Sequence, residues 1–367
     1  MPPNPALNRP VRVFAFGWCR RGGPVSLYTL DVTSDDTLFN ALGYSMRRFL
    51  SAIKSYLTVI VSALAVSSVL AQIPMPKDGT PGWYRMRLGT FEITALSDGT
   101  LELPVDKLFT KVNPTRIRSL LSRAYLSNQV TLTVNAFLVN TGTRLVLIDT
   151  GTGTSQMFGS KLGSLLSNLQ ASGYSPEQVD EIYVTHMHTD HIGGLMRDGK
   201  PTFANATVRA AAREADFYLS QSKMDAAPAD EKEDFESAMT IFKPYIAADK
   251  FKPFDGETQL IPGVRAIPTP GHTPGHTIYA IESRGEKLVV WGDLMHVAAI
   301  QFPQPSATIQ FDWNIKQSAQ QRRMIFADAA KNGDFVAAAH VAFPGIGKLR
   351  AEGDGYAWVP ISYIFGR

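Results

Sequence analysis

The sequence contains a single cysteine, Cys19, so the chain has no second thiol with which to form an internal disulfide. Any transition metal bound by the rest of the chain must therefore be held by histidine and carboxylate side chains. The G-x-S-x-G pattern of a serine nucleophile elbow is also missing, so nothing here indicates a serine hydrolase of that kind. With 44% hydrophobic and 19% charged residues, the 367-residue chain is typical of a globular protein with a substantial core.

Most of the chain also lacks an excess of basic side chains. The formal net charge of +3 comes from residues 1–71, which hold seven basic and three acidic residues, whereas the remainder has 29 basic and 30 acidic residues. A protein that binds nucleic acid through its phosphates needs a positively charged face. We therefore expect no nucleic-acid partner.

The apolar run near the amino terminus is too short to span a bilayer, since residues 55–71 provide 17 apolar and small residues where roughly 20 are required. Basic residues precede the run, and small or apolar residues occupy the positions that a signal peptidase recognises: Arg47, Arg48, Lys54, Val69 and Ala71. We predict a secretory signal over residues 46–71, cleaved after Ala71, and a periplasmic or secreted protein with no stable membrane anchor. Residues 1–45 are expected to be disordered, or an upstream extension with Met46 as the true initiator.

One short stretch places four potential metal ligands within six residues: His186, His188, Asp190 and His191. Apolar residues 182–184 precede it and two glycines follow, which predicts a strand that ends in a loop and then a helix. Period-two geometry directs the first two histidines to the same side of an extended chain. The turn after them can bring the aspartate and the third histidine to face a second position, so one loop can begin two adjacent metal sites.

Three more candidate ligands each follow a predicted strand: His272, Asp293 and His340. Strand ends on one edge of a sandwich converge on a shared crevice, so these residues can meet the first four. Taken alone, the aspartate could cap a turn and His340 could be a hydrogen-bonded core residue. Five histidines and two aspartates together are enough for two ions.

The remaining pattern predicts a mixed α/β protein. Residues 91–96 resemble a strand that enters a turn at residues 97–99. The other predicted segments are a linker at 74–81, a hairpin of strands 134–139 and 145–149, a helix at 163–172, amphipathic helices at 208–221 and 230–242, and strands at 264–268, 278–282, 288–291 and 335–339. We interpret residues 200–256 as a helical insertion that covers the site.

These motifs together resemble the metallo-β-lactamase superfamily. The resemblance rests on the His-x-His-x-Asp-His run, the Pro-Gly-His-Thr-Pro-Gly-His segment at residues 270–276, the Gly-Asp pair at 292–293 and the late histidine. It covers about residues 80–367, and it implies an αββα four-layer sandwich that binds two metals between its sheets. We accordingly expect residues 72–367 to form a single hydrolase domain.

The expected ligand sets are the ones that this family implies. They are His186, His188 and His272 for the first ion, and Asp190, His191 and His340 for the second, with Asp293 between the two. Zinc is the expected metal, with manganese, cobalt and iron also suited to these ligands. By resemblance, Asp149 supports the ligands, and His276 lies near them without binding metal.

Further segments, for example residues 82–89, 91–99 and 343–347, resemble the methyl parathion hydrolases and their lactonase relatives. This resemblance implies a substrate pocket that includes Leu108, Phe158, Tyr218, His296, Ile309 and Phe311. Methyl parathion hydrolases typically have Arg, Leu, Thr and Leu at the positions of Leu108, His296, Ile309 and Phe311, and an extra serine just before the segment at Phe235. These departures favour a lactonase that opens aryl lactones such as dihydrocoumarin, with weak phosphotriester hydrolysis.

The expected chemistry is hydrolysis by a hydroxide shared between two metals, with Asp190 and Asp293 as the catalytic carboxylates. The substrate would be a small lactone or ester, and the resemblance implies a homodimer. One alternative is a lactonase for acyl-homoserine lactones, and another is a methyl parathion hydrolase-type phosphotriesterase. A periplasmic zinc-binding protein without catalysis is the non-enzyme alternative, which the mixed His and Asp ligands disfavour. A redox diiron protein would normally have an acidic residue in place of His188.

Overall fold

The computed structural model describes residues 13–14, 29–30, 36–67, 80–155 and 157–363. The chain divides into two units, residues 1–79 and residues 80–367. In the first unit, β1 (Val13–Phe14) pairs with β2 (Thr29–Leu30), and the helix α1 (Asp36–Ser67) follows. The expectation of disorder before Met46 is therefore wrong for residues 36–45, which are helical.

Other predictions for this region stay predictions. Cys19, the cleavage point after Ala71 and most of the linker at 74–81 lie outside the described residues. Within the described part of the chain, none of the helices combines the length and apolar character needed to cross a membrane.

The second unit is built from two large sheets with helices on their outer faces. Its strands are β3 (Trp83–Leu88), β4 (Phe91–Pro104), β5 (Phe109–Thr110), β6 (Gln129–Asn140), β7 (Leu145–Ile148), β8 (Glu181–Tyr183), β9 (Met196–Arg197), β10 (Lys200–Pro201), β11 (Thr207–Arg209), β12 (Thr258–Ile261), β13 (Val264–Pro268), β14 (Thr277–Ser283), β15 (Glu286–Val290), β16 (Thr308–Ile309), β17 (Phe335–Ala337), β18 (Ile346–Glu352) and β19 (Gly355–Pro360). Its α-helices are α2 (Val105–Leu108), α3 (Pro114–Arg123), α4 (Leu165–Ala171), α5 (Thr189–Ile192), α6 (Ala212–Tyr218), α7 (Gln221–Ala226), α8 (Lys232–Ala247), α9 (Ala298–Gln301) and α10 (Ile315–Asn332).

The first sheet has six strands in the order β11-β8-β7-β6-β4-β3, and the second has seven in the order β12-β13-β14-β15-β17-β18-β19. The β11, β8 and β7 strands run parallel to one another, as do β15 and β17, and the other neighbours are antiparallel. Parallel neighbours require crossover connections, which here carry α4 between β7 and β8 and α10 between β15 and β17.

Three buried clusters show how the layers pack. One cluster joins apolar residues of both sheets, such as Phe137 and Ile148 from the first and Tyr279 and Val290 from the second. A second cluster packs α4, α6 and α8 against the outer face of the first sheet, and a third packs α10 against the second sheet. The order helix, sheet, sheet, helix confirms the predicted αββα sandwich.

Two local predictions were wrong because tertiary contacts override local preference. The Ser-Asp-Gly tripeptide at residues 97–99 is a bulge within the 14-residue strand β4 rather than a turn. Asp98 is buried there, and its carboxylate accepts hydrogen bonds from Thr152, Gly163 and Leu165. Val208 was predicted to begin a helix, but it lies in β11, which pairs with β8, and the helix α6 begins at Ala212.

Candidate metal centre

All seven histidines of the chain lie in one cluster at the carboxyl ends of strands from both sheets. The β8 strand leads into residues 185–191 from the first sheet, whereas β13, β15 and β17 lead into residues 269–276, 291–296 and 338–340 from the second. Neighbouring imidazole rings approach with centroids 4.1 to 5.9 Å apart. The two sheets therefore converge on the residues that the motifs indicated.

The candidate ligand atoms form two groups, and within each group they lie within 4.8 Å of one another. The first group is His186, His188, His272 and Asp293, and the second is Asp190, His191 and His340. The same seven residues were the expected ligands, with Asp293 between the two ions, and their role in binding ions stays a prediction.

Asp293 faces both groups, with one carboxylate oxygen toward each. Its Oδ2 lies 3.3 Å from Nε2 of His272 and 3.6 Å from Nε2 of His186. Its Oδ1 lies 3.1 Å from Nε2 of His191 and 3.0 Å from Nε2 of His340. A carboxylate in this position can bridge two cations.

The centre contains polar atoms that a metal ion would satisfy. His191 Nε2 and Asp293 Oδ1 are both buried, and within the described structure neither makes a hydrogen bond of suitable geometry, although the two atoms lie 3.1 Å apart. Buried polar atoms are rarely left unpaired, because their desolvation costs free energy. Imidazole nitrogens and carboxylate oxygens are ligands of zinc and related ions, so the residues present fit two divalent ions.

The outer nitrogen of each candidate histidine ligand is held by a polar neighbour, which leaves the inner nitrogen directed at the centre. The pairs are His186 Nδ1 with Thr185 Oγ1 (3.1 Å), His188 Nε2 with Tyr218 Oη (2.9 Å), His191 Nδ1 with Asp149 Oδ2 (2.8 Å), His272 Nδ1 with Asp312 Oδ1 (3.3 Å) and His340 Nδ1 with the Thr133 carbonyl oxygen (2.8 Å). Such partners orient the rings and favour the tautomer whose inner nitrogen is free to bind metal.

Backbone conformation helps to place two of these groups. Asp149 has a left-handed φ of 60°, and its carboxylate also accepts hydrogen bonds from the backbone and hydroxyl of Thr185, each at 2.8 Å. Gly292, just before Asp293, has φ of 54°, and a Cβ there would lie 2.7 Å from the Cβ of Thr185. Only glycine suits that position, because of both the conformation and the space.

His276 supports the centre without facing either group. Its Nε2 accepts a hydrogen bond from the Asp293 backbone N–H at 3.1 Å, and its Nδ1 pairs with Thr269 Oγ1 at 2.9 Å. Both ring nitrogens therefore have partners, and the expectation that His276 does not bind metal stays a prediction.

The predicted pocket residues differ in their exposure. His296 is buried with its Nε2 3.0 Å from Asp293 Oδ2, and Phe311 is 39% exposed with its ring 5.9 Å from that of His296. Leu108 and Ile309 are buried in a hydrophobic cluster with α3, and Phe158 is half-buried in the loop between β7 and α4. Tyr218 is buried against His188, as described above. The pocket itself stays a prediction.

Sequence inspection missed the supporting residues Asp312, Arg322 and Glu214. Asp312 backs His272, and its other oxygen lies 3.5 Å from the guanidinium of the fully buried Arg322. Only Glu214 had a signal in the sequence, because the segment Glu214-Ala-Asp-Phe resembles the methyl parathion hydrolases and their lactonase relatives. The others carry no local motif because their partners are distant in sequence.

Burial and nearby charges shift the pKa values of the residues in the centre. Burial lowers the pKa of His186 well below its usual value and that of His188 to about 4. Burial favours the neutral form of Asp293 and Asp190, but the electrostatic attraction of the surrounding imidazoles outweighs this effect. They hold the pKa of Asp293 well below its usual range and lower that of Asp190 to about 2.

Three other histidines have a raised pKa. Burial disfavours the charge on His272, but hydrogen bonds to Asp293 and Asp312 outweigh it and raise the pKa to about 9. The same balance between burial and nearby carboxylates, Asp293 foremost, raises the pKa of His191 well above its usual value and also raises that of His340. With a pKa of about 9, the His272 imidazole is protonated near neutral pH in the metal-free protein.

Metal binding is therefore expected to release protons, because a ligating imidazole must be neutral. At a pH below its raised pKa, His272 holds a proton that a metal ion must displace. The apparent metal affinity should therefore rise with pH until about 9, the pKa of His272. Calorimetric titration with Co²⁺ in buffers of different ionisation enthalpy would measure the release. It should be larger at about pH 7 than at about pH 9.5, and equal release at both would contradict the expectation.

Comparison with known proteins agrees with this geometry. The family model described as the metallo-beta-lactamase superfamily matches residues 130–326. The structure of a hydrolase, AbOPH, described as in the beta lactamase superfamily, is 38% identical with a TM-score of 0.74 and covers 78% of this chain and 100% of that chain. The structure of AidC, a dizinc quorum-quenching lactonase in complex with a homoserine product, is 28% identical with a TM-score of 0.72 and the same coverage.

An N-acyl homoserine lactonase of Bacillus cereus is 27% identical over 180 residues, which cover 44% of this chain and 64% of that protein. The match spans less than two thirds of the relative. The family match, in contrast, includes the histidine-rich loop and all strands from β7 to β16, and it extends over more than half of the chain. The chain therefore belongs to the metallo-beta-lactamase superfamily, and its two ligand groups suit two divalent ions.

Proposed function

We propose that this protein hydrolyses lactones, with aryl lactones of the dihydrocoumarin type as the first substrate class. The observation that carries the proposal is the convergence of five imidazoles and two carboxylates, with their inner atoms facing one another, next to exposed aromatic side chains. The lactonase among the similar solved structures supports the same reaction type.

The two ligand groups would hold two divalent ions, zinc in the first instance. Such a pair lowers the pKa of water and stabilises the negative charge that develops on the carbonyl oxygen. The protein's own contribution includes Asp190, whose side chain is 14% exposed and lies 3.5 Å from His191 Nε2 and 3.6 Å from His340 Nε2. Because its pKa is about 2, the carboxylate is ionised, so it can accept a proton from the attacking water and return it to the leaving oxygen.

Aromatic side chains beside the centre support a flat aryl substrate. Phe311 and Trp313 are 39% and 48% exposed, and the Trp313 backbone N–H donates to the His272 carbonyl oxygen at 2.9 Å. The ring of Phe217 lies 6.3 Å from that of Trp313. These rings offer apolar faces on which a bicyclic lactone can stack while its carbonyl reaches the ligand groups.

N-acyl homoserine lactones are a second candidate substrate class, favoured by the similarity to the lactonase of Bacillus cereus and to AidC. An acyl chain could lie along the same aromatic side chains. This alternative expects turnover that rises with acyl length, because each added methylene buries more apolar surface. The resemblance to methyl parathion hydrolases adds weak phosphotriester hydrolysis to the proposal.

A substrate panel on metal-analysed protein tests the proposal. Dihydrocoumarin, acyl homoserine lactones of several lengths, an aryl ester and methyl parathion would be assayed with protein reconstituted with Zn²⁺, Mn²⁺, Co²⁺ or Fe²⁺. The largest kcat/KM is expected for dihydrocoumarin, and chelation should abolish all activity. A larger kcat/KM for methyl parathion would overturn the lactonase assignment, and a preference for long acyl homoserine lactones would replace the aryl substrate.

His296→Leu should shift the preference away from lactones and toward phosphotriesters. The change removes a polar wall beside Asp293 and leaves the apolar residue typical of methyl parathion hydrolases at this position. The ratio of the two kcat/KM values should change by about tenfold, the range of a single altered pocket contact. Metal content, measured in parallel, should stay at the wild-type level, and an unchanged ratio would remove His296 from the specificity argument.

A further inference from the structure

We propose that Glu214 is a positioning residue of the centre, which holds together the two loops that supply the three histidines of the first ligand group and thereby sets the metal affinity of that group. The inference rests on the proposed function, because it assumes that the group binds a divalent ion. It goes beyond it by assigning a role to a residue that is not one of the ligands.

The carboxylate of Glu214 joins two segments that are far apart in sequence. Its Oε1 accepts a hydrogen bond from the Met187 backbone N–H at 2.8 Å. Its Oε2 accepts from Thr273 Oγ1 and from the Gly275 backbone N–H, each at 2.8 Å. Met187 lies between His186 and His188, and Thr273 follows His272, so one side chain spans both loops.

Glu214 is 1% exposed, and its carboxylate accepts hydrogen bonds from two backbone amides and a hydroxyl. Burying a carboxylate is costly unless its oxygens are hydrogen-bonded. A neutral apolar side chain could fill the same space, but it could not bind the two loops to each other. The buried charge is therefore explained by its effect on the loops.

The helix that carries Glu214 also reaches the ring of a ligand. Tyr218 follows Glu214 by four residues in α6 and so lies on the same helical face, and its Oη is 2.9 Å from His188 Nε2. At the other loop, a Cβ on Gly275 would lie 2.3 Å from the backbone nitrogen of Glu214. The helix α6 thus packs against the loop that contains Gly275. It also forms hydrogen bonds to the backbone of Met187 and to the ring of His188 in the other loop.

The second ligand group has different supports. His191 pairs with Asp149 and His340 with the Thr133 carbonyl oxygen, and neither partner lies in α6. Loss of the Glu214 carboxylate should therefore weaken one ion and spare the other. A general loss of folding would affect both ions alike, so this selectivity separates positioning from a merely structural role.

The test is metal titration of the full chain carrying Glu214→Gln. A glutamine can keep one acceptor, but its amide nitrogen would face donors at the other loop. Co²⁺ would be added to metal-stripped protein, with visible absorption and calorimetry used to resolve two binding events and elemental analysis used for stoichiometry. One event is expected to weaken by about 10- to 100-fold, as for other supports of metal ligands, and the other to stay within about threefold.

Two further variants make the result specific. Thr273→Val removes one donor to Glu214 with little change of shape, and it should weaken the same event by a smaller factor. Glu181→Gln is the matched control, because Glu181 is a largely buried carboxylate in β8 that pairs with Arg209 at 2.7 Å, away from the ligands. It should leave both events unchanged.

The outcomes separate the two proposals. Wild-type protein that binds no more than one ion would overturn the dinuclear site and the proposed function with it. Wild-type protein that binds two ions, together with a Glu214→Gln variant whose two affinities are unchanged or equally reduced, would overturn only the role of Glu214. If Glu214→Gln does not fold, an unchanged titration of Thr273→Val would have the same meaning.

Discussion

Asp293→Asn is expected to lower kcat/KM for every substrate of the centre by about three orders of magnitude, since metal ions contribute several kcal/mol to such reactions. The Asp293 carboxylate faces both ligand groups, with Oδ1 3.0 Å from His340 Nε2 and Oδ2 3.3 Å from His272 Nε2. An asparagine can offer only one oxygen as a ligand. Its amide NH₂ group would take the place of the other oxygen, and that group cannot bind a cation. The substitution also removes the negative charge that balances two ions among buried imidazoles.

Elemental analysis and steady-state kinetics would measure this effect together. Asp334→Asn is the matched control, because Asp334 is a half-buried aspartate that pairs with Lys287 at 3.1 Å just before β17. The control should keep its metal and its activity. An Asp293→Asn protein that retained two ions and stayed within about tenfold of wild-type activity would show that the bridging position is dispensable.

Arg322→Met is expected to lower the free energy of unfolding by about 3–5 kcal/mol, the usual cost of removing one partner from a buried ion pair. Arg322 is fully buried in α10, and its guanidinium lies 3.5 Å from the equally buried Asp312 carboxylate. It also donates to the Leu294 carbonyl oxygen at 2.7 Å and to Ser318 Oγ at 2.9 Å. Methionine fills similar space, but it removes the hydrogen bonds to these two acceptors and the positive charge beside Asp312 Oδ2.

Urea unfolding of the metal-free protein would measure the loss, with Arg323→Met as its control. Arg323 is the next residue in α10 and is exposed, so its replacement should hardly move the unfolding midpoint. Because Asp312 backs His272, the Arg322 variant should also bind its first ion more weakly. Equal midpoints for the two variants would mean that the buried guanidinium contributes little to stability.

Local pattern was sufficient for the candidate ligands and for most of the strands. The histidine-rich loop follows a β-branched run, and each of the other three ligands follows a short apolar run, so alternation and strand ends located all seven. The pattern failed at residues 97–99, where turn-forming residues lie inside a strand, because Asp98 is stabilised by partners more than 50 residues away. Turn propensity is a local preference, and these contacts outweigh it.

By itself, the sequence determined the chemical character of the centre. With a single cysteine, the chain relies on histidines and carboxylates as ligands for a borderline metal, and their spacing placed them at strand ends. Only the tertiary structure decided what surrounds them. The partners of the outer nitrogens, the Glu214 link between two loops and the buried pair of Asp312 and Arg322 all join residues from separate elements. Such contacts depend on how the two sheets and α6 pack in space. Periodicity along one segment carries no information about the distance between residues of different segments.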